Sequence, residues 1–529
     1  MMCKQYLFVV FWALCFLASP SFAGVTFNQN QIDIVVPPSC NHVPVNLPYV
    51  PDQSLYDDSS IVVSSDSDWV IPTVDSESNN IEIAFSTEDL IASYTATVLV
   101  DDGDSITELF VHLNVSPLDV YRLIDDPLRS MTYGIHRDGI KNGSVIAFDP
   151  VQESLASCIT VGESPTDFVI NEDSSELLVI NSVSESIDVI DLESFTLKET
   201  LLLPVYNAWG DADDTTANID LGPNNVIYYT DGEWAPVLHV LDRDTLDVLQ
   251  STIIDSNGFM DFAVTSDKTK MIAMPQHGWS AGSHSSRIAQ FTINTDGTVN
   301  FVKETTLPNF AREPFEAPVL MRSDDQFAVM KTISASPADT DQLDRVFPSA
   351  IWSMNANGSV VATADKLYEY DTGIELYTLP GNNNLGSGYT DTKAQAFTSD
   401  FSRFVYFNNT DRTLNVINLI DEIGLELLGR SLTPANDSVV NSPETLIWAP
   451  LSGIDQYDVY IGTDENLIAA ADHSSPSYRG RATGTSFDLS ETLNNGVAYY
   501  WRIDPVSSAS LETGPVYTFT VSELSLIHI

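Results

Sequence analysis

The feature that most restricts the fold is an internal repeat between residues 117 and 429. Three segments share one pattern, an apolar strand, a polar turn and a second strand ending in Asp or Asn: 174–197 (SSELLVINSVSESIDVIDLESFTL), 224–246 (NNVIYYTDGEWAPVLHVLDRDTL) and 402–423 (SRFVYFNNTDRTLNVINLIDEI). Weaker copies end at Asp149, Asn294 and Asp371, so the anchors Asp149, Asp191, Asp242, Asn294, Asp371 and Asn418 lie 42, 51, 52, 77 and 47 residues apart. A degenerate copy at 326–334 (QFAVMKTIS) fills the one long gap and brings the number of units to seven. Strand-rich repeats of roughly 40 to 50 residues have the size of propeller blades. In a closed ring, strands covered on both faces should read as continuous apolar runs, as Leu177–Ile180 does for an inner strand. Outer strands should alternate, as Ile187, Asp188 and Val189 do.

On either side the period changes to two. In 24–116, Tyr94, Ala96, Val98 and Val100 recur at every second position, as do Leu109, Val111, Leu113 and Val115, a period of two rather than a helical one. Between them Asp101-Asp102-Gly103-Asp104 carries tight-turn chemistry. Ile32–Val36 and Ile81–Phe85 add strands, which makes an immunoglobulin-like sandwich the expectation for 24–116. In 430–522, Leu446, Trp448, Tyr457, Val459, Ile461, Tyr499, Trp501, Ile503, Tyr517, Phe519 and Val521 fall on single strand faces. They are expected to fill one sandwich core rather than to form a carbohydrate platform. The fold class expected is therefore all-β, a seven-bladed β-propeller flanked by two β-sandwich domains. Residues 523–529 form an apolar tail without a partner strand, expected to be irregular or truncated.

Two segments resemble known families. ESPTDFVINEDSSELLVINSVSESIDVIDLES (163–194) is similar to the YVTN-type seven-bladed propeller repeat of bacterial surface and exported proteins, and the likeness extends weakly over 117–429. LIWAPLSGIDQYDVYIGTDENL, with the following 478–521, resembles the fibronectin type III-like modules of secreted bacterial proteins. The first resemblance implies a fold more than an activity, because the family includes lactonase-like enzymes, metal-bearing domains and binding scaffolds.

Charge and the N-terminus narrow the setting. With 74 acidic against 23 basic residues the net charge is -51, so nucleic acid and anionic membranes lack an electrostatic attraction to this chain. The same charge favours a soluble monomer. Lys4, the apolar run Leu7–Leu17 and Ser21-Phe22-Ala23 form a secretory signal, with cleavage expected between Ala23 and Gly24 and no membrane span elsewhere. Removal of residues 1–23 leaves Cys40 and Cys158, which fall in different expected domains, so a disulfide is not expected between them.

Candidate chemistry is sparse. Gly278-Trp279-Ser280-Ala281-Gly282 matches a nucleophile elbow, but the strand that follows is not the helix such an elbow requires. Asp211, Asp213 and Asp214 in one loop offer oxygen ligands of the kind Ca²⁺ takes, without EF-hand spacing. Trp209, Trp234, His277, Trp279, Arg312 and Glu313 fall in long loops of the repeat region, where an indole beside polar groups suits a flat ligand; packing between blades is the plainer alternative. The expectation is a secreted or cell-surface, non-catalytic binding or adhesion protein that recognises an extracellular glycan or protein. The rivals are a lactonase-like hydrolytic propeller with a metal at the channel mouth and a structural surface-layer component.

Overall fold

The computed structural model describes residues 30–49, 61–75, 80–87, 92–103, 105–138, 142–207, 217–231, 237–253, 259–275, 287–306, 318–322, 325–341, 343–356, 358–380, 394–419, 438–440, 445–448, 456–484, 486–489, 493–506 and 516–522, with residues 27, 90, 422, 434 and 514. Among them strands dominate and the helix Glu465–Ala469 is a single short turn. No helix in this set is long and apolar enough to cross a membrane. The chain forms two compact units, one drawn from residues up to Ile32, Pro44–Ser86 and Tyr94–His112, the other from Asp33–Val43, Thr87–Ser93 and the chain from Leu113 onward.

The first unit follows its alternation. Ala96, Val98 and Val100 are buried along Tyr94–Asp101, and Leu109 and Val111 along Ile106–Val115, in a sheet that also holds Val62–Ser65. A second sheet, Val45–Pro48, Asn80–Phe85 and Val70–Asp75, buries Ile81, Ile83 and Phe85. The turn between Asp101 and Ile106 has Gly103 at φ 89°, a value that only a residue without Cβ adopts freely, and Asp101 Oδ1 accepts the Gly103 N–H at 2.8 Å.

In the second unit, residues 120–418 form seven antiparallel sheets, six of four strands and a seventh with three among the described residues. In each sheet consecutive strands pair in chain order, and the innermost strands are Val120–Asp125, Pro165–Ile170, Ile219–Leu221, Phe259–Val264, Val319–Met321, Ser353–Met354 and Gln395–Phe397. We number the blades one to seven in that order. Every blade closes its first turn with one main-chain bond, between residues five apart in six blades and four apart in blade three: the N–H of Asp126, Asn171, Gly222, Thr265, Arg322, Asn355 or Thr398 donates to the carbonyl of Met131, Glu176, Val226, Lys270, Phe327, Val360 or Arg403 respectively, at or just before the start of the second strand. Seven copies of one turn around one ring define a seven-bladed β-propeller.

Apolar seams hold neighbouring blades together. Phe168, Leu177 and Val179 of blade two pack with Ile135, Val145 and Ile159 of blade one, and Tyr228 and Val240 of blade three pack with Phe262, Met271 and Phe291 of blade four. Further clusters join blades two to three, four to five, five to six and six to seven. A fully buried side chain of this size contributes about 1.5 to 3 kcal/mol, so each seam is a substantial share of a domain's stability. The ring closes where the innermost strand of blade seven lies beside that of blade one. There Ser399 N–H donates to Asp125 Oδ2 at 2.5 Å and Arg412 pairs with Asp119 at 3.6 Å.

The repeat anchors sit at the ends of third strands, for a local reason. Asp149 Oδ1 accepts N–H groups from Val151 and Gln152 at 2.7 and 2.9 Å, and Asp242 Oδ1 those of Asp244 and Thr245 at 2.9 and 3.0 Å. Two positions differ from the sequence reading. In blade six the equivalent anchor is Glu369, whose carbonyl accepts from Gly373 as that of Asp242 accepts from Leu246, so Asp371 lies two residues beyond it. Leu177–Ile180 belongs to a second strand, and Ile187–Val189 to a third strand in which Asp188 is only 3% exposed. Neighbouring blades cover second and third strands on both faces, whereas the fourth strand, Thr196–Leu202, is mostly exposed. Asp188 tolerates burial because Gly162 N–H, Asn181 Nδ2 and Thr200 Oγ1 donate to it at 2.7, 2.9 and 2.5 Å.

The expectation for the cysteines is overturned: Cys40 and Cys158 form a disulfide, with Cα atoms 6.1 Å apart. The reason is that 33–43 belongs to the propeller-bearing unit and runs beside the outer strand of blade one. Cys158 N–H donates to Asn41 O at 3.0 Å and Val43 N–H to Cys158 O at 2.9 Å. His42 completes the clasp, accepting Thr160 N–H on Nε2 at 2.8 Å while Nδ1 meets Val43 O at 2.6 Å.

Beyond the ring, Ser438–Val440, Val516–Val521, Ala498–Pro505, Gln456–Gly462 and Tyr478–Thr483 form a five-stranded sheet, and Thr445–Ile447 pairs with Ser486–Asp488. Leu446, Trp448, Tyr457, Val459, Ile461, Tyr499, Trp501, Tyr517, Phe519 and Val521 share one core, with Ile503 packed against it. Those are the residues that the alternation places inside.

Candidate functional site: the central channel

The residues proposed from the sequence as a ligand site, Trp209, Trp234, His277, Trp279, Arg312 and Glu313, and as cation ligands, Asp211, Asp213 and Asp214, lie outside the described residues. So does the 278–282 elbow. Among the described residues no cluster of three or more His, Cys, Asp or Glu is arranged to hold a metal ion. What the described residues do bring together is the wall of the channel.

The innermost strands enclose a cavity of about 350 Å³ lined from all seven blades. Counting back four residues from the common turn gives Arg122, Asp167, Asn218, Asp261, Pro318, Ile351 and Ala394 in blades one to seven. At this level blades one to four are polar and blades five to seven apolar. Arg122 Nε meets Asp167 Oδ1 at 3.3 Å, and its Nη2 donates to Asn218 Oδ1 on blade three at 3.3 Å.

The carboxylates stitch the ring. Asp167 Oδ2 accepts the N–H of Ile219 on blade three at 3.1 Å, Asp220 Oδ2 that of Val264 on blade four at 3.0 Å, and Asp261 Oδ2 that of Val319 on blade five at 2.7 Å. Asp125 accepts Ser399 N–H across the closure. Burial lifts the carboxyls of Asp125 and Asp261 to about 7 and that of Asp220 to about 6. It raises Asp167 as well, against the pull of the Arg122 charge. The accepted N–H groups oppose these shifts without cancelling them.

A pH dependence follows, and its sign is fixed by the direction of the shifts. A carboxyl whose pKa is higher folded than unfolded holds an extra proton in the fold, so stability is greatest on the acid side and falls as pH rises through about 4 to 7. His42, lowered from 6.5 to about 4 chiefly by burial, acts oppositely in part of that window, one group against the four raised carboxyls of the channel. The melting temperature of the chain is expected to be higher at pH 5 than at pH 8. Asp125→Asn should flatten this trend while keeping the fold, because an amide can accept from Ser399 N–H and donate to Thr132 Oγ1, the two partners Asp125 has now. A variant with an unchanged pH–melting curve would show that Asp125 does not titrate in this range.

The sequence reading passed over these acids. A signal for two of them exists: DFVINEDSS (167–175) and DFAVTSDKT (261–269) place Asp-Phe at the same distance from the same turn.

No protein-family model matches the chain, and no curated protein sequence matches it. Among solved structures it is similar to the Kuenenia stuttgartiensis hydrazine synthase, with 13% identity and a TM-score of 0.44 over 57% of this chain and 96% of that one. It is also similar to the β-propeller domain of Myceliophteria thermophila Cps50 (Swd1), with 10% identity and a TM-score of 0.39 over 56% of this chain and 96% of that one. The strand order and the ring itself define an all-β chain built around a propeller.

Proposed function

We propose that this chain is an exported, non-catalytic binding protein whose propeller recognises an extracellular ligand. In this reading a YVTN-type propeller stands between an immunoglobulin-like segment, 24–116, and a fibronectin type III-like segment, 430–522, that act as spacers or docking modules. The observation that carries the proposal is the condition of the channel carboxylates. Each described one accepts a main-chain N–H from another blade, which makes the wall a fixed recognition surface rather than a set of uncommitted acids and bases. The Cys40–Cys158 bridge supports export, since disulfides persist in oxidising compartments.

The test is a thermal-shift screen of the purified chain against glycans, extracellular proteins, small amines and divalent cations, run beside hydrolysis assays on lactones and esters. A specific ligand at a hundred times its Kd should add about 2.7 kcal/mol to stability. Turnover of a lactone or an ester would contradict the reading, and so would a melting temperature indifferent to every class.

A further inference from the structure

We propose that the central cavity takes a small organic cation, an ammonium or guanidinium head on a short apolar body; this narrows the ligand of the propeller and rests on reading the propeller as a binding scaffold. The first support is a pair of buried polar groups without partners, an amide oxygen and a hydroxyl. Gln395 and Ser353 line the cavity from blades seven and six at 4% and 6% exposure, yet Gln395 Oε1 and Ser353 Oγ have no partner among the described residues. Gln395 Nε2 already donates to Thr363 O at 2.9 Å, so the group left over is an acceptor. A buried acceptor without a donor costs about 1 to 3 kcal/mol, and a ligand bearing N–H groups removes that cost.

The second support is charge. Asp125, Asp167, Asp220 and Asp261 face one arginine in the lining, and Arg122 is already engaged by Asp167 and Asn218. Outside the lining, Lys268 lies near Asp220, and Asp400 adds negative charge near Asp125. A neutral guest would satisfy Gln395 and leave the carboxylates uncompensated; an anion would be repelled. The wall also presents Phe168, Phe262, Trp352 and Phe397, surfaces suited to an alkyl chain and, for an onium head, to cation–π attraction. The volume, about 350 Å³, suits a guest of metabolite size.

Because the cation favours ionised carboxylates, its binding should release protons and tighten with pH. Titration calorimetry on the full chain would use n-butylammonium and agmatine, with n-butanol and butyrate as the neutral and anionic isosteres. A lysine-bearing peptide would separate a free amine from a side chain presented by a partner. We expect both amines to bind roughly tenfold tighter at pH 8 than at pH 5.5, with butanol and butyrate silent. Asp125→Asn should weaken the amines about tenfold, while Asp173→Asn, which alters an exposed turn acid, should leave them unchanged. Equal weakening by the two variants would mean diffuse attraction to an acidic surface and would overturn the proposal. So would butanol binding as well as butylammonium, or the absence of heat with either amine. If oligosaccharides stabilise the chain while amines do not, the scaffold reading stands and the cation falls; if a lactone is turned over, the scaffold reading itself falls.

Discussion

Replacing Cys40 and Cys158 together by serine is expected to lower the stability of the unit that holds them by about 4 to 5 kcal/mol. The bridge closes a loop of 118 residues, and in the chain-entropy account a loop of about that length restricts the unfolded chain by that amount. Both sulfurs are fully buried, so the double serine also places two hydroxyls among apolar neighbours. Urea unfolding with and without reductant checks the effect. The wild type with its disulfide reduced under denaturing conditions and the double variant should share one midpoint, well below that of the oxidised protein. A variant within about 1 kcal/mol of wild type would mean that the main-chain bonds of Asn41 and Val43 to Cys158 hold the segment by themselves.

The second large effect lies in the C-terminal sandwich. Arg502 is 2% exposed and fully committed: Nε and Nη2 fork onto Asp504 at 2.8 Å each, Nη1 donates to Ile468 O and Ala469 O at 2.6 and 2.8 Å, and Nη2 to Ala471 O at 2.8 Å. The guanidinium also stacks 4.5 Å from the centre of the Tyr460 ring. It therefore ties the end of the short helix Glu465–Ala469 to the strand Ala498–Pro505. Arg502→Met leaves the Asp504 carboxylate buried beside three carbonyls without their donor, a loss expected at about 3 to 5 kcal/mol. Arg502→Lys should recover less than half, because an ammonium cannot reproduce the fork. Hydrogen exchange in Ala498–Pro505 would report the change, with much faster exchange in the methionine variant. Unchanged protection would show that the apolar core around Trp501 holds this sheet without the ion pair.

Much of the fold was legible because periodicity carries it. The third-strand anchors recur because an Asp there accepts the N–H groups that open the next turn, a local chemistry that repeats with the blade. Alternation placed Tyr499, Trp501, Tyr517 and Phe519 in one core because a strand in a sandwich has one covered face. The disulfide was not legible. Pairing Cys40 with Cys158 depends on which unit residues 33–43 join, and no local pattern records that choice. Nor were the channel acids, for a related reason. Asp125 and Asp220 look like ordinary polar residues of short strands, and only closure of the ring sets each beside an N–H of a neighbouring blade. The loops that drew attention in the sequence did so for their tryptophans, whereas the channel wall is assembled from a few residues of each of seven short strands far apart in the chain.

The most direct test of this account is an experimental structure of the chain at a resolution that separates strands. It should contain seven radial sheets, with Gln395–Phe397 beside Val120–Asp125 and the Ser399 N–H on the Asp125 carboxylate. A ring with a different number of sheets, or a gap between the first and the last, would remove the channel on which the proposed binding site depends.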